Sequence, residues 1–542
     1  MIWNSCAKSG ARLLLLCGAL LLSACAAMTR PLPVASKLIG PGPAQVHVAV
    51  TRTTDSRWQV DYRFDEAVDA WQFSSGRALN REKTWQVLTP GVHIHANADA
   101  VWLARDDGKS LTQVSLRFDD NSDEIDRDYS LVVPFSDGGR LLFLGHLLLT
   151  PMTGEKSGGP GDGTVSVTTR FEARDESPIG ADGQAREIYL SAADAPDYAY
   201  FGHAMSIAGA DIEAVIDPAT PTWVRDSLIR ELPRLLGYYR ERFGAALPVK
   251  PHVFLNYQPE QGEGFNGDAM PTMLHLTLRG ESWQHPDPAA QAQLLFFIAH
   301  EAAHLWNGHY LHSTEGHQAA WLHEGGADAA AYDALKALGL ISEADWRNQF
   351  ALALNKCRSA LGQYPMQEAY SHHNSHALYS CGSTMQNVLA LSMRRPQIDA
   401  DSFELWRAWV TSASARHYEY TRKDFFQFAQ QHASAAMVND LHELAETKVA
   451  NPTALIEALL HEERLDFIED NDDMPPEMRS NVSSAQMAAL MATDCMGQTN
   501  FWSNPTQFDI GGLADCHHLV KEHYLVAAIA GVPVADGVKI HD

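Results

Sequence analysis

Residues 294–304, LLFFIAHEAAH, form the most informative stretch of this sequence. Its first five residues are apolar, which is typical of a buried helix. His300 and His304 are four residues apart and therefore share one face of that helix, with Glu301 beside them. Two imidazoles and a carboxylate are costly to bury without a partner such as a metal ion. The stretch therefore predicts a buried helix that offers two metal ligands and a general base.

A second predicted helix, residues 320–338, carries a third ligand. The HExxH pentapeptide also arises by chance, so this context decides its interpretation. Glu324 completes a set of two histidines and one carboxylate, which leaves a fourth position open for water, as in catalytic zinc sites. Asp328, four residues later, is predicted to accept the second ring proton of a histidine ligand; the alternative is a surface or capping role. Gly325 and Gly326 are predicted to let the two helices approach closely.

The motifs around this predicted site resemble those of a known superfamily. HExxH followed by LWN, residues 305–307, and by WLHEG, residues 321–325, is similar to the pattern of the gluzincin zinc peptidases. The closest resemblance is to the aminopeptidase N and leukotriene hydrolase family and to the glycyl aminopeptidase family. The spacing from His304 to Glu324 is one residue longer than is usual in the aminopeptidase N family, and an inter-helix loop can absorb that residue.

The resemblance covers residues 201–430, together with a general similarity of the β-rich N-terminal region. It implies a thermolysin-like, mainly helical catalytic domain with one Zn²⁺ ion. The metal ligands would be His300, His304 and Glu324, and Glu301 would activate a water molecule for peptide-bond hydrolysis.

The same resemblance assigns a role to Tyr379. The segment YSCG, residues 379–382, is similar to the Tyr-x-x-Gly of the aminopeptidase N family, whose tyrosine stabilises the transition state. A phenol that donates to the developing oxyanion complements a metal ion on the other side of the carbonyl. The alternatives are a buried ring without a catalytic role and, as rival donors, His373 and His376.

One segment departs from the family pattern. Aminopeptidases of this group bind the free α-amine through the glutamate of a Gly-x-Met-Glu-Asn segment, and the corresponding stretch here is GDAMPT, residues 267–272. Pro271 stands where that glutamate would be, so the basis for N-terminal exopeptidase specificity is missing. Glu263 and Asp268 are the nearby carboxylates that could replace it. The following segment, residues 273–278, is predicted to border the cleft and pair with an extended substrate.

The hydrophobic pattern predicts an α+β chain of several domains. Alternation of apolar and polar residues, as at Trp58, Val60, Tyr62 and Phe64, indicates a β-rich domain over residues 45–198. A helical period then predicts the catalytic domain at 199–440 and a helical C-terminal region of unknown role at 441–542. Within the catalytic domain we expect Pro233 to kink or split a helix, and a Gly-rich loop at 262–267.

The N-terminus has the pattern of a targeting segment. Residues 1–24 combine positive charge with a short apolar run, and Leu22-Ser-Ala-Cys25 resembles a bacterial lipobox. Cys25 would then carry lipid, followed by a linker over residues 25–44. This places the protein in the bacterial cell envelope, anchored by lipid in the outer membrane and facing the periplasm. The alternative is an ordinary cleaved secretory signal.

Four cysteines remain in the exported chain. In an oxidising compartment an even number favours two disulfides, and three pairings are open. The short-loop pairing would join Cys357 to Cys381 and Cys495 to Cys516.

The charge of the chain bears on its partners. A formal net charge of -26 and the lack of a Lys/Arg cluster indicate no nucleic-acid partner. The predicted partners are a peptide or protein substrate and, through the lipid anchor, a membrane. The leading hypothesis is a zinc metallopeptidase; the alternatives are a non-catalytic envelope binding or assembly protein on the same scaffold, and a hydrolase of a non-peptide substrate.

Overall fold

The structure of the chain is a computed structural model. It describes residues 45–533, apart from gaps at 54–55, 75–79, 98–99, 121–128, 153–166, 175–177, 180–186, 192–196, 204–205, 363, 373, 375, 395–399, 463–485, 488–489, 492, 496–500, 504–507, 512–515, 519–522 and 530–531. The predicted signal segment, the lipidation site Cys25 and the linker lie outside the described residues, as does His373.

In its described residues the N-terminal region consists of strands, a single-turn α-helix, α1 (Arg81–Thr84), and a 3₁₀ turn, Leu144–Leu147. The strands are β1 (Val46–Arg52), β2 (Arg57–Val68), β3 (Ala70–Phe73), β4 (Gln86–Val87), β5 (Val92–Ala96), β6 (Val101–Arg105), β7 (Leu111–Asp119), β8 (Val132–Pro134), β9 (Arg140–Phe143), β10 (Leu149–Pro151), β11 (Thr168–Arg174), β12 (Pro178–Ile179), β13 (Glu187–Ser191) and β14 (Tyr198–Phe201). They form three sheets with the orders β13-β11-β1-β2-β7-β4, β10-β3-β6-β5 and β12-β14-β9-β8.

Alternation along the strands explains how the first two sheets pack. Trp58, Val60, Tyr62 and Phe64 of β2 are all buried, while the residues between them are partly or fully exposed. Their side chains share one core with residues of the second sheet such as Trp71, whose ring stacks on that of Phe64 at 4.2 Å between centroids. The period-two pattern therefore predicted both the strands and their buried face.

The next sheet begins the catalytic region. It contains β15 (Ser206–Ala208), β16 (Glu213–Ile216), β17 (His252–Gln258), β18 (Gly264–Met270) and β19 (Met273–Arg279), in the order β15-β16-β17-β19-β18. Strands β16, β17 and β19 are parallel, and β18 runs antiparallel to β19. One face of this sheet packs against the third N-terminal sheet through a shared core that includes Tyr198, Tyr200, Phe254 and Met273.

Two predictions about this sheet are wrong. Residues 262–267, expected to be a loop, largely belong to β18, because Phe265 packs against Phe297 and Trp283 and holds the strand on the core. Residues 273–278 cannot pair with a substrate, because β19 is already bonded on both sides, to β17 and to β18. The sheet has two edge strands, β15 and β18.

Helices make up most of the chain between this sheet and residue 462, and one more lies between β16 and β17. They are α2 (Thr222–Tyr239), α3 (Pro288–His304), α4 (Ala320–Ala337), α5 (Glu343–Ala360), α6 (Gly382–Met393), α7 (Phe403–Thr411), α8 (Arg422–His432), α9 (Ala435–Glu446) and α10 (Pro452–Glu462). A two-stranded pair, β20 (His312–Ser313) and β21 (Glu419–Tyr420), joins distant parts of this region. None of the helices in the described residues has the length and apolar character needed to cross a membrane.

Helix α2 is not split at Pro233. It continues through that residue and ends in a π-helical turn, Arg240–Gly244. Proline removes one hydrogen bond of the helix, at a cost of about 3 kcal/mol. The burial of Leu228, Leu232 and Leu235 on the neighbouring turns offsets that cost.

The C-terminal region is not wholly helical, contrary to the prediction for residues 441–542. Three strands, β22 (Phe501–Ser503), β23 (Phe508–Gly511) and β24 (His523–Val526), form an antiparallel sheet, and β25 (Ala528–Ile529) pairs with β26 (Val532–Pro533). These strands are too short for a clear period in the sequence. Within this region a disulfide joins Cys495 to Cys516, and in the catalytic region another joins Cys357 to Cys381.

Candidate metal centre

Two helices bring the three predicted metal ligands together. His300 and His304 lie on the last turns of α3, and Glu324 lies on the first turns of α4. The two histidine Nε2 atoms are 3.0 Å apart, and Glu324 Oε2 is 3.5 Å from Nε2 of His300 and 3.4 Å from Nε2 of His304. Ligands about 2.0–2.1 Å from a tetrahedral zinc ion lie roughly 3.3 Å from one another. The residues present therefore fit a single zinc ion.

Each histidine is oriented through its other ring nitrogen. His300 Nδ1 lies 2.9 Å from Asp328 Oδ1, and His304 Nδ1 lies 3.1 Å from Asn307 Oδ1. The amide of Asn307 is itself fixed, since its Nδ2 donates to the carbonyl oxygen of His323 at 2.8 Å. Both rings therefore donate from Nδ1 and present Nε2 as the ligating atom. Of the two histidine ligands, Asp328 contacts only His300.

Glu301 lies on α3, called the metal helix below because it carries His300 and His304, and it faces the edge strand β18. Its side chain is buried and lies against Gly267, where a Cβ atom would come within 2.4 Å of the Glu301 carboxyl carbon. Burial raises the pKa of Glu301 to about 7, while the nearby His300 and His304 oppose that rise. A carboxylate with a pKa near neutrality is suited to accept and return a proton.

Tyr379 closes the site on a third side. It lies in a π-helical turn, Ala377–Cys381, directly before α6. Its ring centroid is 5.7 Å from that of His300, and Glu324 is among the charged groups near its hydroxyl. Burial raises the pKa of Tyr379 well above its ordinary value, and the negative charge of Glu324 acts in the same direction. The hydroxyl therefore keeps its proton and can donate it.

Close contact between helices fixes the position of this turn. A Cβ atom on Gly325 would come within 2.3 Å of the Gly382 backbone, and one on Gly326 within 2.7 Å of the Trp406 ring. The prediction that these two glycines allow α4 to approach the metal helix is therefore wrong. They bring α4 against α6 and α7, because the backbones of α4 and α6 touch where no side chain intervenes.

The carboxylates near the edge strand are already bonded. Asp268 Oδ2 accepts from the Tyr198 hydroxyl at 3.0 Å and lies 3.0 Å from His275 Nδ1. Glu263 accepts from the backbone N–H and the hydroxyl of Ser282. Both carboxylates therefore already accept hydrogen bonds from within the protein.

The other histidines of this region do not form a second metal site. Among the described residues, only one further group has ligating atoms close together, Asp494 with Cys495 and Cys516, and both of those thiols are bound in the disulfide. His309 Nε2 donates to the Ala269 carbonyl oxygen at 2.6 Å, and burial lowers its pKa to about 4. A neutral His309 thus ties β18 to the turn after the metal helix.

Comparisons with known proteins bear on the fold. No protein-family model matches the chain, and no curated protein matches it. Among solved structures, an aminopeptidase N family protein from Idiomarina loihiensis superposes with a TM-score of 0.59 at 11% sequence identity, covering 76% of this chain and 78% of that chain. The two chains share a fold. The prediction of a β-rich N-terminal domain followed by a mainly helical, thermolysin-like domain is confirmed at that level.

A second solved structure is more distant. It is a variant of a two-domain M1 zinc metallopeptidase bound to L-tryptophan, with a TM-score of 0.45, 14% identity, and coverage of 77% of this chain and 98% of that chain. At this level of similarity the match adds nothing to the assignment of the fold.

Sequence reasoning missed some residues of the site. Asn307 was not predicted to contact a histidine of the site, although its spacing of three residues from His304 is the signal for a shared helix face. His323 was not expected at the site, yet its Nε2 lies 3.4 Å from Glu324 Oε1, the oxygen that points away from the other two histidines. Nothing in the local sequence marks His323, because its position depends on how α4 packs.

Proposed function

We propose that this protein is a zinc-dependent peptidase that hydrolyses peptide bonds with an activated water molecule. The observation that carries the proposal is the convergence of His300 Nε2, His304 Nε2 and Glu324 Oε2 within 3.0–3.5 Å of one another, with buried Glu301 adjacent. Zinc held by these atoms supplies a Lewis acid that polarises the scissile carbonyl and lowers the pKa of water.

The chain's own groups have distinct roles in this proposal. Glu301 accepts a proton from the attacking water as the new C–O bond forms, and returns that proton to the amine as the C–N bond breaks. The Tyr379 hydroxyl donates a hydrogen bond to the carbonyl oxygen, where negative charge develops. Asp328 and Asn307 keep the two histidines in the orientation that metal binding requires.

Metal analysis and peptide cleavage test the proposal together. We expect the purified protein to contain or take up one equivalent of zinc and to cleave a mixed peptide pool, as seen by mass spectrometry. Glu301→Gln should keep the zinc and lose turnover, because an amide cannot accept the proton. Cleavage by this variant at the parental rate would contradict the mechanism. Zinc binding without cleavage of any peptide would favour a non-catalytic scaffold or a non-peptide substrate.

Cleavage within peptide chains is the mode that the site supports better. A buried ammonium group requires a carboxylate partner, and the carboxylates next to β18, Asp268 and Glu263, are bonded to other groups. Product termini from the same peptide pool report the mode: internal fragments support it, whereas stepwise loss of N-terminal residues contradicts it.

We also propose that the protein acts in the bacterial cell envelope, anchored through a lipid on Cys25. The support is the sequence Leu22-Ser-Ala-Cys25 after a short apolar run. Metabolic labelling with a fatty-acid analogue should mark the parental protein and not Cys25→Ala. An unlabelled parental protein would favour an ordinary secretory signal instead.

A further inference from the structure

A small cavity lies between α4, α5 and α6, next to the metal centre. Asp328, whose carboxylate contacts His300, forms one wall. Lys356 of α5 and Ser383 and Asn387 of α6 contribute polar groups to the other walls. The cavity has a volume of about 50 Å³, several times the space that one water molecule needs. It can therefore hold a group of a few atoms.

Lys356 lacks a close counter-ion in this cavity. Within the described part of the chain, no carboxylate lies at ion-pairing distance from its ammonium group. The negative charge of Asp328 raises the pKa of Lys356 from beyond that distance. Desolvation lowers the pKa of Lys356, which shows that the surroundings do not compensate its charge. Asp328 also contacts His300, which zinc would hold in the function proposed above, so the Lys356 ammonium shares this carboxylate and has no ion-pair partner of its own.

The cavity is also close to the catalytic wall. The positive charge of Lys356 adds to burial in lowering the pKa of His376 to about 3, and His376 lies three residues before Tyr379. Ser380, directly after Tyr379, lines the same cavity. The Lys356 ammonium is therefore near the segment that carries the proposed oxyanion donor.

We propose that this cavity is a subsite for a carboxylate group. The Lys356 ammonium, the Asn387 amide and the Ser383 hydroxyl can each donate a hydrogen bond to a carboxylate oxygen, and an ammonium is the partner that balances its charge. Trp346 and Phe350 also line the cavity and offer apolar contact to a short carbon stem. This chemistry fits either the acidic side chain of a peptide substrate or a small free carboxylate.

Acetate binding tests the subsite directly. The zinc-loaded protein is titrated with ¹³C-labelled acetate and followed by NMR, in the parental form, in Lys356→Met and in Lys448→Met. Lys448 is exposed and serves as the matched control. Acetate that binds to zinc does so equally in all three, so the difference reports the cavity. We expect at least tenfold weaker binding in Lys356→Met only; equal binding in all three proteins, or none in the parental protein, would overturn the proposal.

A second variant tests the subsite in case Lys356→Met does not fold. Asn387→Asp keeps the size of the side chain and places a negative charge in the cavity, so it should also weaken acetate binding at least tenfold. Unchanged acetate binding in a folded Asn387→Asp protein would count against the subsite even if Lys356→Met could not be purified.

Peptide cleavage distinguishes the two sources of the carboxylate. If the substrate supplies it, the parental protein and Lys448→Met should favour Asp or Glu at one position near the cleaved bond, and Lys356→Met should lose that preference. If acetate binding depends on Lys356 but peptide cleavage shows no preference for Asp or Glu, the subsite binds a free carboxylate. If acetate binds in this way but no peptide is cleaved, the cavity assignment stands and the proposed peptidase function fails.

Discussion

The contact between Gly267 and Glu301 joins the edge strand to the proposed general base. A Cβ atom at Gly267 would lie 2.4 Å from the Glu301 carboxyl carbon and 2.6 Å from Oε1, closer than real atoms approach. Since the general base must lie within hydrogen-bond reach of the attacking water, any side chain at this position displaces it. Glycine is thus required here because a side chain would collide with the Glu301 carboxyl group, and not because of its backbone conformation.

We therefore predict that Gly267→Ala lowers kcat about 100-fold, the scale of effect expected when a catalytic group moves by about 1 Å. Zinc content should not change, because the metal ligands are not displaced. Gly262→Ala is the matched control, since no atom lies within 4 Å of its added Cβ. Steady-state kinetics with a peptide found in the pool experiment provide the measurement, and parental kcat in Gly267→Ala would refute the assigned position of Glu301.

The Asp328–His300 contact leads to a prediction about metal affinity. Asp328→Asn keeps the shape of the side chain and removes its charge, so zinc affinity should fall by about 10–100-fold. Competition with a chromogenic chelator measures this change. Asp226→Asn, at an exposed position, should bind zinc as tightly as the parental protein. Equal affinity in Asp328→Asn would assign Asp328 a capping role instead.

At the level of single residues, the sequence predicted the parts of the site that follow helical spacing or a motif. His300, Glu301, His304 and Glu324 all fall into this group, and the structure brings them together. Asn307 follows the same kind of spacing, three residues after His304. His323 and Lys356 could not be predicted in this way, because their positions near the site depend on how separate helices pack.

Among the elements, the turn that carries Tyr379 depends on a covalent link. The disulfide between Cys357 and Cys381 ties α5 to the last residue of that turn, two residues after Tyr379. The bond closes a loop over a sequence separation of 24 residues. Closure of a loop of this size stabilises the folded state by about 3 kcal/mol, because it restricts the unfolded chain.

Replacement of both cysteines, Cys357→Ser with Cys381→Ser, should therefore lower the free energy of unfolding by about 3 kcal/mol. It should also reduce kcat more than zinc affinity, because Tyr379 loses its fixed position while the metal ligands stay in place. Urea denaturation and chelator competition give the two quantities. The Cys495→Ser with Cys516→Ser protein is the control, since that bond lies in a separate hydrophobic cluster, and its kcat should match the parental value.

The elements that were predicted correctly have long periodic patterns or clear caps. Helix α3 begins where Asp287 accepts from the N–H groups of Ala289 and Ala290, with a proline in its first turn. Strand β18 could not be predicted because glycines at both Gly264 and Gly267 suggest a loop. In the fold these glycines make room for Arg279 and Glu301, which are distant in sequence.

The whole molecule contains a β-rich half whose stability should depend on pH. His146 is 1% exposed, and burial lowers its pKa from an ordinary 6.5 to about 4. Between these values the unfolded chain binds a proton that the folded chain does not. The contribution of His146 to the free energy of unfolding is therefore greatest above pH 6.5. It decreases by about 3 kcal/mol in total as the pH falls toward 4.

We predict that His146→Gln reduces this dependence. The free energy of unfolding in urea, measured at pH 7.5 and at pH 4.5, should fall by about 2 to 3 kcal/mol less in the variant than in the parental protein, because glutamine does not titrate. The same decrease in both proteins would show that His146 is not the group responsible.

For the molecule as a whole, hydrophobic period alone predicted a β-rich half followed by a helical half. It could not predict the order β15-β16-β17-β19-β18, which depends on pairing between strands far apart in the chain. That order matters for function, because it leaves β18 as the edge beside Glu301.

The bare backbone contact between Gly325 and Gly382 limits how α4 and α6 can move relative to each other. Glu324 is adjacent to one of these glycines, and Tyr379 precedes the other by three residues. Because no side chain separates the two main chains, a shift of one helix toward the other would bring their backbones into collision. We therefore expect Glu324 and Tyr379 to move together when the site admits a bulky ligand.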